Sequence, residues 1–212
     1  MYHPDVRDQT IQGWLDELAS QSPAPGGGAA AAMNAAVGAA LVSMVCNLTI
    51  GKPKYAAHEE TMRAALASAE RARAEALRLA DADADAFEAV MAAYRLPKGT
   101  DAERDTRTEA IQSALYTAAD VPLRTARLAT EIIALSEDIL DGANVNVLSD
   151  VAVAASSARA ALESAMINVT VNLVSMREGD RRDSLARGVA DSSKAPGRAD
   201  AVVARVQERL HR

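Results

Sequence analysis

Between Leu18 and Gly51 the chain carries no charged residue. In a protein where 25% of residues are Asp, Glu, Lys or Arg, such a gap is either a membrane span or a helix buried deep in a core. The run opens with Ser22-Pro23-Ala24-Pro25-Gly26-Gly27-Gly28 and continues as an Ala-rich stretch to Ile50. That stretch meets the roughly 20 apolar residues a bilayer requires. Its quality does not fit: Ala predominates, Asn34, Ser43, Asn47 and Thr49 interrupt it, and no Trp or Tyr belt flanks it. The composition predicts a buried helix over residues 29–50, entered through a Pro/Gly loop, and no membrane association.

The remaining composition narrows the class. The chain has 212 residues, 49% of them hydrophobic, which suits a helical domain over 1–176 with its own core. A charged segment with a short helix follows over 177–212. A formal charge of −6 argues against nucleic-acid binding, and 3% aromatic residues leave little for base stacking. Cys46 is the single cysteine, so an internal disulfide and a multi-Cys metal site are excluded. Cys46 reads as a small core residue. His3 and His211 sit at opposite ends of the chain and His58 stands alone, so no zinc-type His cluster is expected. The opening residues show neither a basic nor an apolar leader region, and the expected compartment is the cytoplasm.

Ala is the strongest helix former, and its abundance predicts an all-α fold. The pattern gives helices over 6–19, 29–50, 56–94, 101–119, 121–140, 149–176 and 199–210. Ile11, Trp14, Leu15 and Leu18 are expected on one face of the first. Pro122 is expected to start or kink the fifth. The 56–94 helix spans about 58 Å at 1.5 Å per residue, against a radius of gyration of about 17 Å for a domain of this size. It must bend, protrude or pack on a second subunit. Small Ala side chains let helix axes approach closely, which predicts a tight antiparallel bundle.

Several polar residues fall where this pattern places core. On the long helix, Asp83 shares a stripe with Leu66, Ala69, Ala76, Ala80, Phe87, Val90 and Tyr94, whereas Asp81 and Asp85 read as solvated. A buried carboxylate is costly unless paired, so Asp83 is either half of an ion pair or a site carboxylate. Asp150, Asn168 and Asn172 share one face of the helix over 149–176. Asp150 follows Ser149, an expected N-cap, and complements the helix dipole or serves a site. Asn168 and Asn172 hydrogen-bond neighbouring helices or a ligand. Asn144 and Asn146, in the loop 142–148, form a turn or a polar nest. Gly26, Gly27 and Gly28 lack the Lys-Ser/Thr of a P-loop but allow close backbone approach to a ligand. Lys52, Lys54 and Lys98 are solvated charge or anchors for an anionic tail.

Taken in order, these segments resemble the formiminotetrahydrofolate cyclodeaminase and methenyltetrahydrofolate cyclohydrolase family. The marks are Pro23-Ala24-Pro25-Gly26-Gly27-Gly28, Gly51-Lys52-Pro53-Lys54-Tyr55, Asp83-Ala84-Asp85-Ala86-Phe87, Leu96-Pro97-Lys98, Val121-Pro122-Leu123, Asn144-Val145-Asn146-Val147-Leu148-Ser149-Asp150 and Asn168-Val169-Thr170-Val171-Asn172-Leu173. Ala143 stands between Gly142 and Asn144, where the family usually runs Gly-Asn. The resemblance implies an all-helical, cyclodeaminase-like homodimer acting on a one-carbon tetrahydrofolate, with no metal and no cofactor beyond that substrate. It implies Asp83 as the catalytic carboxylate. Gly26, Gly27, Gly28, Lys52, Lys54, Lys98, Asn144, Asn146, Asp150 and Asn168 are then the substrate-binding set. The expected reaction is hydrolysis of 5,10-methenyltetrahydrofolate, because no formiminotransferase domain accompanies the sequence. The alternatives are cyclodeamination with release of ammonia and, in another class, a non-catalytic helical oligomerisation module.

Overall fold

The computed structural model describes residues 5–211, so His3 lies outside the described residues. Among the described residues seven α-helices form the fold: α1 (Ile11–Leu18), α2 (Gly27–Asn47), α3 (Glu59–Tyr94), α4 (Asp101–Leu140), α5 (Leu148–Ser175), α6 (Asp180–Ser192) and α7 (Ala195–Leu210). Among the same residues there is no strand. The expected all-α bundle is present, and the long helices run antiparallel.

The charge-free run forms α2. Its buried surface is made almost wholly of small side chains: Ala29, Ala31, Ala32, Ala35, Ala36, Ala39, Val42, Val45 and Cys46 are all buried. It packs on α3 and α5 and touches α4. Burial pushes the Cys46 thiol up to about 11, which leaves it protonated and unreactive near neutral pH. Gly38 sets the closest approach. A Cβ there would lie 3.1 Å from the Ala154 carbonyl oxygen and 3.3 Å from the Ala158 nitrogen, so backbone meets backbone where α2 crosses α5. By length and hydropathy α2 could cross a bilayer, and 61% of its most apolar window is buried within the protein. Its core position is sufficient reason for its composition.

Several boundaries differ from expectation. Val6–Asp8 is a separate 3-10 turn, and α1 begins only at Ile11 because Thr10 caps it, accepting from the Gly13 N–H at 3.0 Å. Of the expected apolar face of α1, Trp14 is buried in the main core and Leu18 packs against it, whereas Ile11 and Leu15 are 78% and 50% exposed. Residues 101–140 form one helix, not two. A capping box between Thr100 and Glu103 starts it, and buried Pro122 lies inside it. Ser149 is not the N-cap of α5. A 3-10 turn, Val145–Val147, runs directly into that helix. Beyond residue 176 the described residues form two helices rather than one. The Ala195, Ala199, Val202 and Val206 side chains of α7 join the main core against α5.

The length of α3 is accommodated by α4. The two pair antiparallel, and their joined ends extend past the main core with a small apolar cluster of Ala93, Ile111 and Leu115. This hairpin forms one wall of the cleft described below. Replacing Gly38 by Val is expected to force α2 and α5 apart. The overpacking should cost about 1–3 kcal/mol, read as a lower midpoint in urea unfolding.

A candidate active-site cleft at the N-terminus of α2

Asp83 lies at the mouth of α2. The N-cap of α2 is Gly26, which has no side chain to satisfy the orphan N–H groups of the first turn. The Asp83 Oδ2, from the neighbouring helix α3, accepts from the Ala29 N–H at 3.0 Å. A carboxylate from another helix thus does the work of an N-cap and meets the positive end of the α2 dipole. Gly28 makes the approach possible: a Cβ there would lie 2.0 Å from Asp83 Oδ1. Gly27 is different. A Cβ at Gly27 would sit 3.6 Å from the Asn168 amide, an ordinary contact. Of the three glycines, only Gly28 is required by Asp83.

Among the described residues no cation pairs with Asp83, so the ion-pair reading of this residue is set aside. Burial raises its pKa, and the Ala29 hydrogen bond lowers it by less, leaving the carboxyl above its ordinary value. The group faces a cleft of about 410 Å³, within the range of small-molecule sites. The loop at Pro23 and Ala24, the three glycines, and Phe87, Val90 and Tyr94 of α3 line it. Leu115 and Ala118 of α4 and Asn168, Val171, Asn172 and Ser175 of α5 complete the wall. Phe87 and Tyr94 continue the Asp83 stripe as the sequence predicts, but they are 37% and 44% exposed because they face the open cleft rather than core. Arg107 donates to the Tyr94 carbonyl at 3.1 Å and lies 5.6 Å from its ring centroid, fixing the rim.

The two asparagines of the cleft are tethered by their amide nitrogens. Asn168 Nδ2 donates to the Ser164 carbonyl at 2.9 Å. Asn172 Nδ2 donates to the Ala118 carbonyl at 2.9 Å and to the Asn168 carbonyl at 3.0 Å. Asn168 and Asn172 are both legible in the sequence as polar groups for a neighbouring helix or a ligand, although only Asn168 is expected in the substrate-binding set; Phe87 and Tyr94 are read there as part of the apolar stripe. The signal for the aromatic pair is their i+4 and i+11 spacing from Asp83, which reads equally as core.

The remaining sequence-predicted residues lie elsewhere. Lys52, Lys54, Asn144, Asn146 and Asp150 gather at the opposite end of α2. Asp150 and Asn168 share a face of α5 but stand 18 residues apart, about 27 Å along the axis. One chain therefore does not bring the two groups to one small ligand. Asn144 is fully engaged there. Its backbone N–H donates to Thr49 Oγ1 at 3.1 Å, its Nδ2 donates to the Leu48 carbonyl at 2.9 Å, and its Oδ1 accepts from the Tyr55 hydroxyl at 3.3 Å. Lys52, Lys54 and Asn146 are exposed. Lys98 is exposed in the loop between α3 and α4 and does not line the cleft. Asp81, expected in solvent, is part-buried instead and accepts from the Val6 N–H at 2.9 Å. It borders a smaller cavity of about 230 Å³ with Asp5 and Trp14, where its carboxylate anchors the 3-10 turn before α1. Among the described residues, no three His, Cys, Asp or Glu side chains converge as a metal requires.

A formiminotransferase-cyclodeaminase family model matches residues 10–191, which includes every wall of the cleft. The chain belongs to this family. It is 51% identical over 165 residues to a methenyltetrahydrofolate cyclohydrolase of Methylorubrum extorquens, covering 78% of this chain and 79% of that protein. It is 38% identical over 171 residues to the formimidoyltransferase-cyclodeaminase of Rattus norvegicus, where the match covers 81% of this chain but only 32% of the relative. The crystal structure of a formiminotetrahydrofolate cyclodeaminase from Thermotoga maritima superposes with a TM-score of 0.86 at 28% identity, over 98% of this chain and all of that one. The family resemblance read from the motifs is correct, and so is the helical fold it implies.

The Asp83 environment has a measurable consequence. The folded state holds the Asp83 proton more tightly than the unfolded chain, so ionising it costs stability as pH rises through and above the usual carboxylate range. Asp83→Asn removes that cost and keeps an acceptor for the Ala29 N–H. The variant is expected to melt no lower than wild type at pH 7, with its advantage shrinking as pH falls through the carboxylate range. Thermal melts across pH check this; a variant that melts well below wild type at pH 7 contradicts it.

Proposed function

We propose that this protein is a methenyltetrahydrofolate cyclohydrolase, with Asp83 as its general base. The observation that carries the reading is the raised-pKa carboxylate of Asp83 facing the cleft, with no cation partner among the described residues. The 51% identity to a cyclohydrolase over most of both chains favours hydrolysis over deamination.

The substrate's one-carbon bridge is an amidinium cation, and a carboxylate stabilises positive charge beside it. Water attacks the bridging carbon while Asp83 takes one of its protons. The tetrahedral adduct collapses as the bond from carbon to N5 breaks, with Asp83 returning the proton to N5. The hydroxyl proton leaves to solvent, the carbonyl of 10-formyltetrahydrofolate forms, and one proton is released overall. Water and the folate are the only reactants this sequence of steps needs. Cyclodeamination is the second reading, favoured by the structural match to a cyclodeaminase. There N10 attacks a formimino carbon and ammonia leaves, and Asp83 would serve the same proton transfers.

Two assays separate the readings: loss of methenyl absorbance in the near ultraviolet, and ammonia release from formiminotetrahydrofolate. Wild type is expected to hydrolyse the methenyl compound well above the buffer rate. Asp83→Asn and Gly28→Ala are each expected to lower kcat about a hundredfold or more, the second because its Cβ displaces the Asp83 carboxylate. Turnover of neither substrate by wild type overturns the reading and leaves a non-catalytic helical module.

We also propose that the working unit is a homodimer. An apolar stripe runs along α2 through Val37, Met44 and Leu48, which are 50%, 36% and 42% exposed. Val153, Ile167 and Val174 are likewise exposed on α5, which packs against α2. Exposed apolar surface of this kind marks an interaction face. A twofold axis across the middle of α2 would bring the partner's Lys52 and Lys54 beside the glycine mouth, giving the acidic cleft its cations for a glutamate tail. Sedimentation is expected to show a dimer for wild type and a monomer for Val37→Glu; a monomeric wild type overturns this part.

A further inference from the structure

Pro122 and Asn172 are linked by an absent hydrogen. Within α4, the carbonyl of Ala118 would accept from the N–H of residue 122, but proline has none. Asn172, on α5, supplies the donor instead, its Nδ2 lying 2.9 Å from the Ala118 oxygen and 3.0 Å from the Asn168 oxygen. Both of its amide hydrogens are thereby directed at carbonyls, and a flipped amide would set oxygen against oxygen at both places. The Asn172 Oδ1 is therefore the end left for the cleft that the residue lines. One turn back, only one of the two amide hydrogens is committed in this way. Asn168 gives its Nδ2 to the Ser164 carbonyl and stands beside Gly27 at the mouth. With the Asp83 carboxylate, the Asn172 Oδ1 gives this wall a second fixed acceptor, which favours ligand groups that donate.

We propose that Asn172 is a specificity-determining residue of the cleft, its Oδ1 accepting from the 2-amino group on the pyrimidine edge of a tetrahydropterin. This rests on the folate reading above. Asn168, nearer the glycine mouth and Asp83, then faces the one-carbon bridge, and Asn172, one helical turn further on, meets the donor edge of the ring. Asp150, Asn144 and Asn146, the other acceptors the sequence offers for that edge, stand at the far end of the chain's own α2. A site built to accept from a donor rejects an analogue that lacks it, because the acceptor is left unpaired.

The test is a cycle of two enzymes and two ligands, read as the inhibition constants of tetrahydrofolate and its 2-desamino analogue against methenyltetrahydrofolate hydrolysis. Wild type is expected to bind the analogue about tenfold or more weakly. Asn172→Leu is expected to bind the two alike. Since Asn172 also joins α5 to α4, Asn172→Ser serves as a second variant: its hydroxyl can bond back to the Asn168 carbonyl without reaching into the cleft. Equal binding of both ligands by wild type overturns the proposal, as does discrimination retained in a folded Asn172 variant. Failure of wild type to bind tetrahydrofolate at all would instead overturn the folate reading itself.

Discussion

The hydrogen bond from the Ala29 N–H to the Asp83 carboxylate is the point on which the rest of the cleft depends. It joins the central helix to its neighbour and positions the acidic group. It also answers the unmet N–H of an α2 terminus whose N-cap is glycine. Two opposed effects act on this group. Burial penalises the charge, while the helix terminus favours it, and burial prevails. A carboxylate held this way accepts protons more readily than one in water, which suits a general base.

The close packing of small side chains makes that arrangement possible. Gly28 admits the carboxylate and Gly38 lets α5 approach the middle of α2. Two antiparallel helices that pack so closely hold their ends in fixed register. The glycine mouth of α2 therefore lies beside Asn168 near the C-terminal end of α5, and the lysine-bearing segment after α2 lies beside the loop that precedes α5. Pro122 adds a second device. By withholding one N–H from α4 it draws in Asn172, which both stitches α4 to α5 and leaves an acceptor toward the cleft.

Much of this is legible in the sequence. Asp83 stands out because helical periodicity places a carboxylate among Leu, Ala, Phe and Val positions, and such a residue calls for an explanation. The glycine triplet stands out through composition, although sequence alone does not distinguish Gly28 from Gly27. The single helix over 101–140 is hidden by Pro122, whose effect as a breaker is overcome by its burial and by the donor that α5 supplies. Period alone puts Asp81 in solvent, whereas the 3-10 turn at Val6 covers it.

By itself, the sequence determined the all-helical class, the burial of the charge-free run and the family, since these follow from Ala content, periodicity and ordered local motifs. Only the tertiary structure decided which polar residues share a site. Helical periodicity specifies the face a residue occupies but not which neighbour covers that face. Asp150 and Asn168 lie on the same face and at opposite ends of α5. Asp83 and Gly28 are far apart in the chain, yet they meet because α2 and α3 pack antiparallel at that level.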